Sequence, residues 1–309
     1  MLKKILLLST IWIGLSANAQ DVYFTEYNSS KINLNPAFAG SDSTFVLSSA
    51  DRLRAGSSPY DEANILFFSA DNYFHFLRGG LAICYSNTNI FRGSSITNQF
   101  HLSYAPHFEL FNHRLAIQPG IELGVFSNKE NYHDFIAPDG TTSANPGTDP
   151  SIPWSGSTVK SNIDVSTGLV IFTKRFYGGF AMHHINKPQT SLFGDSRLPV
   201  RYTIHAGANL TLGNFLLSPN CLLMMQDKSS FAQVGLRIKY KMLTFGLDFL
   251  SSNELVPEIG LQNRFFKLSY SYIHIMDSNN FYYNIPTHEL HFNWYFTHKN
   301  KKQLSMRMI

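Results

Sequence analysis

Apolar and polar residues alternate one for one over long stretches of this chain. Tyr202, Ile204, Ala206, Ala208, Leu210 and Leu212 interleave with Thr203, His205, Gly207, Asn209 and Thr211. Val234, Leu236, Ile238 and Tyr240 interleave with Gln233, Gly235, Arg237 and Lys239, and Leu243, Phe245, Leu247 and Phe249 with Thr244, Gly246 and Asp248. Near the end, Leu290, Phe292, Trp294 and Phe296 oppose Glu289, His291, Asn293 and Tyr295. Successive side chains of a strand point to opposite faces, so a period of two predicts strands with one apolar and one polar face. About fourteen are predicted, near residues 44–53, 62–71, 79–87, 97–107, 113–126, 161–173, 176–185, 199–212, 215–226, 230–240, 243–251, 255–264, 266–276 and 287–297. No segment beyond residue 20 carries comparable helical periodicity.

The connectors separate a soluble sandwich from a membrane barrel. One set is tight: residues 109–112, Lys174-Arg175, Gly213-Asn214, Lys241-Met242 and Phe265. The alternating set is mostly longer and more polar: residues 54–61, 88–96, 127–160, 186–198 and 277–286, with short exceptions around Asp227 and Asn253. Short turns on one side and long loops on the other are the pattern of an outer-membrane barrel. Aromatic residues gather beside the short turns: Phe74, Phe76, Phe108, Phe111, Phe176, Tyr177, Phe215, Tyr240, Phe265 and Phe266. A membrane–water boundary recruits such a girdle, and a sandwich has no reason to. The expected fold is therefore an all-β, transmembrane antiparallel β-barrel of about 14 strands, with Leu236, Ile238, Phe245 and Leu247 pointing into hydrocarbon. An even strand number returns both barrel ends to one side, which places Gln20 and Ile309 on the periplasmic side and residues 127–160 outside.

Composition agrees with an embedded protein that is not helical. Of 309 residues only 15% are charged, 14% are aromatic with 26 Phe and 15 Tyr, and mean hydropathy is −0.11. No apolar run after residue 20 approaches the roughly 18 residues of a spanning helix. The formal charge of +4 does not suggest nucleic acid. At the start, Lys3 and Lys4 precede a mostly apolar Ile5–Leu15 stretch and then Ala17-Asn18-Ala19, the small-x-small pattern of a signal peptide. Cleavage near Ala19 leaves Gln20 first and sends the chain out of the cytoplasm. Cys84 and Cys221 are too few for a disulfide scaffold and read as two free, buried thiols, a long-range bridge being unreadable from sequence.

The search for chemistry finds little. His183-His184 is the most metal-like pair, but adjacent strand residues face opposite ways and cannot share one ion. His288-Glu289 alternates in the same manner. Asp134, Asp139 and Asp149 lack the alternate-residue oxygen spacing of a calcium loop. No nucleophile elbow, dinucleotide fingerprint or P-loop occurs, so no enzyme, cofactor or metal is expected. A convergent hydrolase site stays open as a third class. The tail from His298, with Lys299, Lys301, Lys302 and Arg307, reads as a solvated basic terminus. Asn35-Pro36 through Gly40 is a turn in which Pro fixes φ and Gly permits a tight reversal. It aims residues 20–43 either into the lumen or toward a periplasmic partner.

Gln20-Asp21-Val22-Tyr23-Phe24-Thr25-Glu26-Tyr27, followed by Leu34-Asn35-Pro36-Ala37-Phe38-Ala39-Gly40, resembles the opening of the PorP/SprF family. Further elements follow in that family's order: Ser58-Pro59, Ser69-Ala70-Asp71, Gly79-Gly80-Leu81, Leu102-Ser103-Tyr104-Ala105, His184-Ile185-Asn186-Lys187-Pro188, Ser218-Pro219, Gln226, Leu268-Ser269-Tyr270-Ser271-Tyr272 and His288-Glu289-Leu290. Two departures stand out: Arg52-Leu53-Arg54-Ala55 replaces an Arg-x-Gln-Trp element, and His274-Ile275 replaces Tyr-Asp. The resemblance implies an outer-membrane barrel of the type IX secretion system, contacting outer-membrane lipid and periplasmic secretion components. It also implies service to a secreted adhesin with a type-B C-terminal sorting domain. A general porin or small-substrate transporter is the alternative. The implied organisation is a signal peptide (1–19), an amino-terminal motif segment (20–43), the barrel (44–297) and a basic tail (298–309). Phe24, Tyr27, Asn35, Pro36, Ala37 and Gly40 are the motif positions from which partner or plug contacts are expected.

Overall fold

The alternating segments pair into one closed sheet. The computed structural model describes residues 23–42, 44–56, 62–131, 157–189, 197–276 and 285–296. Its strands are β1 (Phe45–Arg54), β2 (Ala63–Phe74), β3 (Gly79–Ile90), β4 (Ser95–Pro106), β5 (Phe108–Leu110), β6 (Leu115–Asn131), β7 (Ser157–Phe172), β8 (Phe176–His183), β9 (Arg201–Ala208), β10 (Leu210–Leu212), β11 (Phe215–Gln226), β12 (Ser229–Tyr240), β13 (Leu243–Leu250), β14 (Glu254–Gln262), β15 (Phe266–Ile275) and β16 (Thr287–Phe296). Every pairing is antiparallel and, apart from β4–β6 and β9–β11, joins neighbours in sequence, until β1 pairs with β16 from Phe45↔Phe296 to Arg54↔Thr287 and closes the ring. β5 continues β4 past His107 and β10 continues β9 past Asn209, since β6 and β11 each run alongside both halves. The sixteen segments are thus the fourteen staves of a barrel. No helix among the described residues is long and apolar enough to cross a membrane.

The two faces are inverted relative to a soluble sheet. Leu236, Phe245, Leu247, Leu268 and Leu290 are exposed on the outer face, whereas Gln233, Arg237, Thr244, Asp248 and Glu289 are buried on the inner one. Hydrocarbon accepts the first set without cost; the second must find hydrogen-bond partners inside. Phe76, Phe108, Phe111, Phe176, Phe215 and Phe265 stand exposed at the short-turn rim, as a girdle requires. Tyr177 does not join them, because its strand position turns it inward, where it is buried.

Several local expectations change. Residues 88–96 are not a long loop: β3 runs to Ile90, β4 starts at Ser95, and only a tight turn with Phe91 and Arg92 at positive φ lies between. β6 and β7 likewise extend well past their expected ends, to 17 and 16 residues, beyond the roughly 9–11 that cross a bilayer. His183 ends β8 and His184 adopts φ 59°, so the chain leaves strand geometry between them and both side chains are buried. Of the two free cysteines, Cys84 is buried and Cys221 is exposed, one on each face of the wall. The signal peptide, Gln20, the loop aspartates 134, 139 and 149, Ser58-Pro59 and the basic tail lie outside the described residues.

A charge on the outer face tests this membrane placement. Phe245 is 49% exposed in mid-strand, so Phe245→Arg should lose about 2–4 kcal/mol, while Phe245→Leu should lose far less. Urea unfolding from lipid vesicles measures both, and equal stabilities would move the hydrocarbon band elsewhere.

Candidate functional site in the barrel lumen

Residues 23–42 do not lie beside the barrel but within it. The segment enters at the short-turn rim, where the Thr44 hydroxyl donates to the carbonyl of Phe296. Gly40, at φ 67°, makes the reversal that only a residue without Cβ adopts freely, and its N–H donates to Asp71 Oδ2 at 3.0 Å. The chain then crosses the lumen, forms one short helical turn, α1 (Lys31–Leu34), and rises along the opposite wall. Tyr23 is at the far, long-loop rim. Its carbonyl accepts from Arg52, near the end of β1, and its ring lies 4.4 Å from that of Phe231, the third residue of β12. Two rims are therefore bridged by about twenty residues of chain.

Asn35-Pro36-Ala37 is held by its own geometry and by the wall. Asn35 Oδ1 accepts from Ala37 N–H at 2.9 Å, capping the single 3-10 turn Pro36–Phe38, and Pro36 occupies the first helical position where no N–H is needed. Asn35 Nδ2 donates to the carbonyls of Leu169 (3.3 Å) and Phe180 (3.2 Å) and reaches His205 Nε2 at 3.1 Å. The backbone of Ala37 presses on Gly120 of β6, and that of Ala39 on Gly80 of β3, so closely that a Cβ at either glycine would overlap it. Gln118 Nε2 donates to Ala39 O at 2.7 Å, and His183 Nε2 to Leu34 O at 3.0 Å. Lys31 folds back on the entry point, 2.6 Å from Asp42.

The other half of the segment is anchored by charge. The Glu289 carboxylate accepts from the N–H groups of Thr25 (3.1 Å) and Glu26 (3.2 Å) and from the Thr25 hydroxyl (2.7 Å). Glu26 in turn accepts from Lys267 Nζ at 2.8 Å and lies 3.5 Å from His291 and 3.9 Å from Arg237. Arg237 bridges onward to Glu258 at 2.8 Å and Asp248 at 2.9 Å. Gln233 donates to Thr25 O (2.8 Å), Tyr27 OH to Asn220 (2.9 Å) and Asn293 to Ser29 O (2.7 Å).

All six motif positions, Phe24, Tyr27, Asn35, Pro36, Ala37 and Gly40, are buried against the inner wall. Phe24 packs on Phe67 and edge-on to His291. Of the residues that receive them, Glu289 lies in the His288-Glu289-Leu290 element, whereas Gln118, Gly120, Arg237 and Lys267 are not singled out by the sequence; for Arg237 and Lys267 charge at an inward strand position is the available signal. A luminal cavity of about 190 Å3 lies beside the segment, with Phe24 and Asn33 on one side and His101, Glu122, His184 and Arg201 on the other. His101 and His184 are each tied to a carboxylate, Glu122 at 2.8 Å and Asp164 at 2.9 Å. Among the described residues no group of three or more His, Cys, Asp or Glu side chains is arranged to hold a metal ion.

Residues 16–294 match the family model described as type IX secretion system membrane protein PorP/SprF. Among curated proteins none matches the chain. Similar solved structures include the CymD monoaromatic hydrocarbon channel, with TM-score 0.47 and 9% identity over 88% of this chain and 94% of that one. The Acinetobacter baumannii outer membrane protein Omp33 gives TM-score 0.44 and 7% identity over 83% and 100%, and the KdgM porin 0.40 and 10% over 82% and 99%.

Two substitutions test the seating of the segment. Glu26→Ala leaves Lys267 and Arg237 buried without their shared partner and should destabilise the barrel by about 3–5 kcal/mol in urea titration. Gly120→Val puts side-chain atoms where the Ala37 backbone lies, so proteases should cut within residues 23–42 while the strands stay resistant. A segment equally protected in both proteins would contradict this seating.

Proposed function

The chain belongs to the PorP/SprF family of type IX secretion system membrane proteins, and on that footing we propose that it is a non-enzymatic platform rather than a pore. In this reading it supports the export or surface attachment of a secreted protein. The observation that carries the reading is the filled lumen. A fourteen-stranded barrel stands between the filled eight-stranded kind and the open porins, and here its own segment occupies the middle. Solutes have no broad channel; what remains available to a partner is the two rims.

The exported partner is proposed to be an adhesin with a type-B C-terminal sorting domain, docking at the long-loop rim. Periplasmic secretion components would meet the short-turn rim, where the luminal segment enters. Export of the chain itself would follow cleavage near Ala19.

Deletion should abolish surface display of one large protein while nutrient uptake stays unchanged, as read by surface proteomics and growth on limiting substrates. The purified barrel in planar bilayers should show almost no steady conductance. Large porin-like conductance together with normal display of all type IX cargo would favour the porin alternative instead.

A further inference from the structure

β7 is twice as long as the strand beside it. It runs 16 residues, β8 only 8, and β8 pairs with β7 just from Thr167 to Phe172. On its other side β7 is paired with β6 along its whole length. Val165 shows which backbone groups face which way. Its carbonyl accepts from Ile185 N–H at 2.9 Å and its N–H donates to Asn186 Oδ1 at 3.1 Å, both on the β8 side. Asn186 Nδ2 then donates to the Ile163 carbonyl at 2.6 Å and, on the inner side, Asn162 Nδ2 donates to the Gln189 carbonyl at 2.6 Å; among the described residues no backbone hydrogen bond covers this edge beyond them.

Backbone groups alternate in direction along an antiparallel strand, so the odd-numbered residues here turn away from β6. The N–H of Ile163 and both backbone groups of Ser161 and Val159 meet no partner among the described residues. Val159 and Ile163 are also 58% and 66% exposed, flanking Ser161 on the outer face. Natural sheets blunt such edges with Pro, a bulge or outward charge. None of the three residues supplies one.

We propose that residues 159–163 are the docking site for an extended strand of the exported partner, which adds to the barrel wall by backbone hydrogen bonding. This rests on the platform reading above. The occupant follows from the chemistry: donors and acceptors repeating every second residue, roughly 7 Å apart, are matched by another extended backbone. Val159 and Ile163 select apolar residues at alternate positions of that strand. The Asn186 cap keeps the added strand from running on toward the membrane band, so about five residues can pair. The edge stands at the long-loop rim, where an exported protein arrives.

The probe is the sorting domain of whichever surface protein the deletion strain fails to display, titrated against the purified full-length barrel. Ser161→Pro deletes an N–H that β6 does not use and should weaken binding about tenfold or more without lowering the barrel's melting temperature. Ser161→Ala keeps the N–H and should bind like the parent. If Ser161→Pro does not fold, Val159→Pro removes the next donor on the same edge. Amide exchange at Val159, Ser161 and Ile163 should be fast in the free barrel and slow in the complex. Undiminished binding by the proline variant, or amides already protected in the free barrel, overturns edge docking and leaves the platform reading intact. A sorting domain that fails to bind the parent barrel overturns both.

Discussion

The inner wall of this barrel carries polar and charged side chains in the place where a soluble protein has its core, and each of them has to be paired. Glu289, Arg237, Lys267, Asp248, Glu258 and Gln118 are all buried, and a buried charge without partners is far more expensive than a buried apolar group. Water would satisfy such a wall in an open porin. Here the chain's own amino-terminal segment does so: its N–H groups meet Glu289, its carbonyls meet Gln118, Gln233, His183 and Asn293, and its Glu26 meets Lys267. Segment and wall are complementary halves of one polar interior. Removing the segment would strand charges of both signs at once.

The strand map was legible because two solvents enforce it. Hydrocarbon outside and a polar interior inside each demand period two, and expected and observed strand limits differ by only a few residues along most of the chain. Errors arose where geometry departs from that rule. His184 leaves strand conformation at φ 59°, so it shares the inner side with His183 rather than opposing it. Tyr177 belongs by position to the rim and by parity to the lumen. The polar ends of β3, β4, β6 and β7 resemble loops, since beyond the membrane band nothing requires an apolar outer face.

The candidate site was legible only in part. Asn35, Pro36 and Gly40 announce a turn through local chemistry, a side-chain cap and a positive φ, which any sequence reading can see. Their destination is set by contacts at long range: Thr25 meets Glu289 across 264 residues and Asn35 meets the Phe180 carbonyl across 145. Periodicity says nothing about such pairs. Gly120 carries no local signal, and Gly80 only its place in the Gly79-Gly80-Leu81 element, since their purpose is the space they leave for Ala37 and Ala39.

A segment anchored in this way constrains what the protein can do at its two rims. Its entry is tied to the wall where Gly40 meets Asp71 and its far end where Tyr23 meets Arg52, so a push at one rim is transmitted along a chain hydrogen-bonded to the wall at intervals between them. A gate that opened by expelling the segment would have to break the Glu26–Lys267 and Thr25–Glu289 contacts together and hydrate the exposed charges simultaneously. That favours a fixed scaffold, with binding placed where the wall is least satisfied. Among the described residues one such place is β7 above the end of β8, where a long strand rises past a short neighbour and the barrel's own hydrogen-bond ladder stops before the strand does.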